Sequence, residues 1–220
     1  MDPPVAAGPE PLGKIPVREM PLDLAPTVLT DEAREVILGK LRKQYPGLTP
    51  QHKLALLNPN ASDLVAARRW PTESFLTLAR GLLEDPEVLV VFTGAPNERA
   101  SVVPLCETLA SERVLNMAGE TTLPQLIDLF HVSRLLVTND SGPAHFASLT
   151  NLPVLVLFGP ETPEIYGPIG PKVQPVYLGL ACSPCVSAYN QKRSPCGDNR
   201  CLKGISAELV LERARGILAG

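Results

Sequence analysis

The 220-residue sequence has no G-x-G-x-x-G segment after a strand and no G-x-x-x-x-G-K-[ST] segment, so the dinucleotide and P-loop fingerprints are both missing. It also has no G-x-S-x-G elbow, and Cys106, alone on a predicted helix, has no evident partner base; hydrolase and dehydrogenase chemistry are unsupported. No apolar run approaches the about 18 residues of a membrane span. The opening stretch MDPPVAAGPEPLGK lacks the basic and apolar regions of a secretory leader. A cytoplasmic protein is the expectation, with any contact at the inner membrane peripheral. Nor is there an excess of positive charge. A net charge of −3 excludes a charge-driven nucleic-acid binder, although local basic residues can still hold a phosphate.

What is present is ordinary for a globular chain, with 45% hydrophobic and 20% charged residues. Residues 1–29 hold seven of the 24 prolines and few large apolar side chains, which predicts an extended, partly disordered arm. A domain is expected over 30–220. It begins with a helix capped by Thr30 that carries Ala33, Val36, Ile37 and Leu41 on one side and ends near Tyr45. From Lys53 onward, short apolar runs alternate with helical segments. LALLN, EVLVVF, RVLNM, RLLVTN and PVLVLF read as five strands. Helices fall between them: one capped by Thr72, one kinked or restarted at Pro104, one with Pro124 in its first turn, and one over GPAHFASLT. A closing helix follows Ser206. The strands are continuous apolar runs rather than alternating ones, as in a sheet covered on both faces. The order predicts an α/β fold with a doubly wound, mostly parallel, Rossmann-like sheet.

Ligands of such sheets sit beyond the carboxyl ends of the strands. Here those ends are rich in small, polar and glycine residues: Asn58–Ser62, Thr93–Glu98, Met117–Gly119, Thr138–Gly142 and Phe158–Thr162. The segment TNDSGPAH is the sharpest of them. Ser141 is expected to cap the helix that follows, and Gly142 to leave its first amides open to an anion such as a diphosphate. His145, one turn in, points back toward the same place as a donor. Asp140 would repel phosphate, so it is read as an acceptor for sugar hydroxyls or as a brace for its loop. Arg68 and Arg69 can pair with phosphate oxygens. Trp70 reads as an anchor of that loop or as plain core. Glu98 is a candidate for ribose or base hydroxyls, or a complement to a helix start.

Cys182, Cys185, Cys196 and Cys201 form a C-x2-C-x10-C-x4-C cluster inside a loop over 180–203. The first pair has a common ligand spacing for structural zinc, the second is wider; two disulfides or free thiols are the alternatives.

The segments LLNPNAS, RRWPTESFLTLARGL, VVFTGAPNE, NMAGETTLPQLIDLF and LLVTNDSGPAHFASLTNLPVLVLFGPETPEIYGP resemble the C-terminal half of glycosyltransferase family 9, the ADP-heptose:lipopolysaccharide heptosyltransferases and their relatives. The resemblance spans about residues 54–218. It implies a GT-B architecture in which this half binds a nucleotide-sugar donor, ADP-heptose or similar, for inverting transfer without a catalytic metal or other required cofactor. It places Asp140, Ser141, Gly142 and His145 around the diphosphate and sugar, and Glu98 at the ribose. Arg68 falls where the family commonly has a lysine on the donor phosphate. The family's N-terminal domain, which holds the glycan or lipopolysaccharide acceptor and the aspartate proposed as general base, has no counterpart here; only the arm and one helix precede the first strand. The expectation is therefore a donor-binding half that binds a nucleoside diphosphate weakly and transfers nothing alone. A non-catalytic nucleotide-sugar-binding module and a sugar-nucleotide isomerase or epimerase of related fold are the alternatives.

Overall fold

A computed structural model describes residues 26–187, 190–191 and 193–220; residues 1–25 of the predicted arm lie outside them. The chain runs α1 (Asp31–Gln44), β1 (Lys53–Asn58), α2 (Thr72–Leu82), β2 (Val88–Phe92), α3 (Arg99–Leu109), β3 (Val114–Asn116), α4 (Leu123–His131), β4 (Leu135–Asn139), α5 (Gly142–Ala147), β5 (Val154–Leu157), α6 (Pro163–Tyr166), β6 (Val173–Val176), α7 (Arg200–Lys203) and α8 (Ala207–Ala219). Two 3-10 segments, Asp63–Arg68 and Pro96–Glu98, stand before α2 and α3.

All strand pairs are parallel, in the order β3-β2-β1-β4-β5-β6. This is the doubly wound arrangement: connections from β1 run outward to one edge as far as β3, and β4 returns to the other side of β1. The expected α/β architecture is thus present, and the order reverses between β1 and β4. Side chains alternate along each strand, yet both faces are buried. Ala55, Leu57, Val88, Val90, Phe92, Leu135 and Val137 pack with α2 and α8, whereas Leu54, Leu56, Leu89, Val91 and Leu136 pack with α1, α4 and α5. Two covered faces leave no polar face to alternate with, hence the continuous apolar runs.

Helix ends follow local chemistry. Thr30, Thr122 and Ser206 accept the N–H groups of Ala33, Gln125 and Leu209, and Thr122 with Gln125 forms a reciprocal capping box. Four expectations are revised. Val36 is 45% exposed, because the buried stripe of α1 runs through Ile37 and Leu41 and one residue turns the helix by about 100°. Thr72 is not a cap; Pro71 holds that position and Thr72 is already helical. Pro104 does not restart α3, which runs unbroken from Arg99 to Leu109. The carbonyl its missing N–H would have met belongs to exposed Ala100 in the first turn, where water can serve. Finally, a sixth strand, β6, lies at the sheet edge with Pro175 in it, an edge being the place where a strand tolerates a missing donor.

Gly119 closes the turn after β3 at φ +75°, its N–H donating to the Gly94 carbonyl at 2.9 Å; a Cβ there would lie 3.1 Å from Pro96 Cα. Gly119→Ala is expected to destabilise the fold by about 1–2 kcal/mol from the left-handed backbone alone. Urea unfolding checks this as a lower midpoint with an unchanged m value.

Candidate functional site

The carboxyl ends of β1 and β4 are held together by buried amides. Asn139, fully buried at the end of β4, donates its Nδ2 to the carbonyls of Pro59 (2.9 Å) and Asn60 (3.3 Å), and its Oδ1 accepts the Trp70 N–H at 2.9 Å. Asn58 donates to Thr93 Oγ1 at 3.2 Å and accepts the Asn60 N–H at 3.3 Å, tying β1 to the β2 exit. Trp70 is core: it is 2% exposed, donates Nε1–H to the Ile205 carbonyl at 2.9 Å and meets Phe75 edge to face at 4.9 Å. These bonds fix where Arg68 and Arg69 emerge.

The two arginines diverge. Arg69 turns back and chelates the Ala61 carbonyl through Nε (3.2 Å) and Nη2 (2.7 Å), bracing its own loop. Arg68 points inward, its Nη1 lying 3.1 Å from Glu161 Oε2 and 3.8 Å from Asp140 Oδ2. The side chains of Arg68, Asp140 and Glu161 are only 12%, 5% and 1% exposed. Two buried acids thus share one cation. Arg68 Nε and Glu161 Oε1 have no hydrogen-bond partner among the described residues. These groups line a cavity of about 240 Å³ together with Ser62, Ser141, Gly142, His145 and Tyr166.

Ser141 holds the N-cap position of α5, but its side chain makes no capping bond. Its Oγ lies 3.2 Å from both the Asn139 carbonyl and Thr138 Oγ1, within the turn. Pro143 has no N–H, and the Ala144 N–H donates to the Ser141 carbonyl at 3.1 Å, so the first turn offers fewer donors than the sequence suggests. Gly142 and His145 are exposed. A second cavity, of about 430 Å³, adjoins the first through Ser62, Ser141 and Gly142, and has Pro96, Leu123, Leu126 and Phe146 as apolar walls. A third, of about 690 Å³, lies on the Trp70 side; Asn60 and Glu98 line both of these larger cavities. Glu98 Oε2 accepts the Ala95 N–H at 2.7 Å, the helix-start role foreseen as an alternative, while its backbone carbonyl accepts from Ser101 at 2.7 Å. Asn60 is 8% exposed, and its Nδ2 also lacks a partner among the described residues. Arg68, Glu98, Asp140, Ser141, Gly142 and His145 therefore edge one trough at the sheet's reversal point, the place where open α/β sheets bind ligands.

The sequence model described as glycosyltransferase family 9 (heptosyltransferase) matches residues 25–194. The chain belongs to glycosyltransferase family 9. It is similar to lipooligosaccharide heptosyltransferase 2 of Campylobacter jejuni, 30% identical over 182 residues that cover 81% of this chain and 56% of that protein. The crystal structure of a glycosyl transferase family 9 protein from Veillonella parvula is 26% identical with a TM-score of 0.70, over 88% of this chain and 53% of that one. The Escherichia coli heptosyltransferase WaaC with ADP shares the fold at 19% identity and a TM-score of 0.58, over 87% of this chain and 51% of that one. The chain spans about half the length of the curated relatives it matches.

Three residues of this family 9 site carry roles that the sequence reading did not assign: Glu161, Asn139 and Asn60. Glu161 stood in plain view after Gly159 and Pro160, but no local pattern shows that Arg68, 93 residues earlier, reaches it.

Zinc was one of three readings of the cysteine loop, beside disulfides and free thiols. Cys182, Cys185, Cys196 and Cys201 are free thiols, and among the described residues no three His, Cys, Asp or Glu side chains form a group able to hold a metal ion. The loop packs against the β5 exit instead. Ser183 Oγ donates to the Gly159 carbonyl, the N–H groups of Cys185 and Val186 both donate to the Pro160 carbonyl at 2.9 Å, and Cys201 and Leu202 close over Gly159. The backbone N–H groups of Asn199 and Asp198 lower the pKa of the exposed Cys196 thiol, whereas burial pushes Cys106 up to about 11. No described helix is long and apolar enough to cross a membrane.

Two outcomes follow. Arg68→Met takes from buried Glu161 the cation 3.1 Å away and is expected to lose about 3–5 kcal/mol of stability. Adding Glu161→Gln to it recovers part of that loss, a non-additivity that denaturant unfolding reads directly. In the native wild type, iodoacetamide near pH 7.5 should alkylate Cys196 well before Cys106, because only the thiolate reacts and the lowered group holds more of it; peptide mass mapping over time checks the order.

Proposed function

We propose that the trough binds an ADP-sugar and that this chain is the donor-binding half of a heptosyltransferase-type glycosyltransferase. The observation that carries the reading is the sequence of environments along the trough. The 430 Å³ cavity with apolar walls suits a base, and Glu98 at its rim suits ribose hydroxyls. The Gly142 N–H, on an exposed residue at the start of α5, suits a diphosphate oxygen. Arg68 stands beside it, its Nε without a partner among the described residues, and the exposed His145 lines the same cavity, where a ring N–H can donate toward the same oxygens. The smaller acidic cavity beyond suits a sugar ring. The similar proteins, heptosyltransferases, one of them seen with ADP, favour adenosine and a heptose.

In this reading the half built here stabilises the departing diphosphate. Negative charge grows on it as the anomeric bond breaks, and Arg68, His145 and the Gly142 amide meet that charge from fixed positions. Transfer to a lipopolysaccharide-type acceptor, with inversion, is proposed for the enzyme in which this half faces an acceptor-binding domain carrying the general base.

A thermal-shift and calorimetry panel of ADP, UDP, GDP and CMP tests the donor site. ADP should stabilise the chain most, and a shift with none of the four would sink the reading. Gly142→Ala is the sharper probe. A Cβ there meets only Phe146 at 3.4 Å, so the melting temperature should stay near wild type while ADP binding weakens about tenfold through lost backbone approach.

A further inference from the structure

The proposed donor site leaves one strongly buried acid unexplained. Glu161 is 1% exposed; Oε2 holds Arg68, and Oε1, which has no partner among the described residues, belongs to a side chain that lines the 240 Å³ cavity. A buried carboxylate oxygen without a donor is unfavourable, so the arrangement asks for a donor from a ligand. Among the described residues, the carboxylates of Asp140 and Glu161 stand together beside Arg68, and a phosphate oxygen brought to Oε1 would be repelled by the carboxylate it met. A neutral ligand rich in O–H groups satisfies it. The volume lies below the about 300–1,000 Å³ of pockets for drug-sized ligands, so it suits one sugar ring rather than a whole sugar nucleotide.

The backbone around Glu161 is held on both sides. The Gly159 and Pro160 carbonyls are taken by the cysteine loop, and Thr162 accepts the Glu164 N–H at the start of α6. The position of the carboxylate is therefore set before any ligand arrives, as selective recognition requires. We propose that Glu161 is a specificity-determining residue: Oε1 accepts hydrogen bonds from hydroxyls of the transferred sugar while Oε2 keeps Arg68 directed at the diphosphate. This rests on the donor-site reading above. It also assigns the cysteine loop a task in this chain, to hold the sugar-reading acid in place.

The test compares ADP, ADP-heptose and ADP-heptoses lacking single hydroxyls by calorimetry on the wild type and on Glu161→Gln. The wild type should bind ADP-heptose about tenfold more tightly than ADP, about what one hydrogen bond to a charged group contributes. Glu161→Gln should erase that gain while leaving ADP within about threefold. One deoxy donor should lose the same tenfold on the wild type and nothing further on the variant. Equal losses for ADP and ADP-heptose in the variant would reduce Glu161 to a counter-ion of Arg68 and overturn the proposal. So would a wild type that binds ADP yet gains nothing from the sugar. A wild type that binds neither ligand overturns the donor reading itself. Should Glu161→Gln fail to fold, Glu161→Asp is read in the same way, since it keeps the charge beside Arg68 and withdraws the oxygens by one methylene.

Discussion

A parallel sheet must be covered on both faces, and most of this molecule follows from that constraint. Each strand return needs a crossover, the crossovers are helices, and every strand then points its carboxyl end at the same edge. In the order β3-β2-β1-β4-β5-β6 the connections part between β1 and β4, and the gap they leave is the trough. Two apolar layers hold the sheet, one under α2 and α8 and the other under α1, α4 and α5. The polar residues are thereby confined to the exits, where Asn58, Asn139 and Asn60 bind neighbouring loops through buried amides.

Within the trough, charge is arranged more tightly than a phosphate site alone requires. Arg68 is drawn in by Glu161 and Asp140, which orients it before any anion arrives. Such a pair adds little net stability, since taking the ions out of water offsets their attraction. Its value lies in geometry: a guanidinium fixed by carboxylates on one side can meet a phosphate on the other with little further ordering. Asp140, which looked out of place in an anion seat, belongs to this holding frame.

Much of the fold was legible in the residues. Five continuous apolar runs, Thr30 and Ser206 as helix starts, Pro124 in the first turn of α4, and exits rich in small and polar residues are local signals, and the structure has each of them. Of the family 9 site, the TNDSGPAH turn and Arg68 were visible as chemistry. Three of the misreadings were cases where a neighbour outweighed a local preference. Ser141 bonds within its own turn instead of capping α5, Pro71 takes the cap position expected of Thr72, and β6 pairs at an edge despite Pro175. Arg69 resembled Arg68 in sequence and was spent on the Ala61 carbonyl.

By itself the sequence determined the class of fold and the family, because periodicity, turn residues and motif order are carried by neighbours along the chain. The tertiary structure alone decided which arginine faces the cleft and that Glu161 stands beside it. It also placed the cysteine loop behind the β5 exit, where it supports a neighbour rather than gathering a metal among the described residues. Each of these depends on groups brought together from distant positions, Arg68 and Glu161 being 93 residues apart. Charge pairing and burial act through space, and no spacing along the chain encodes which distant partner a buried polar group will meet.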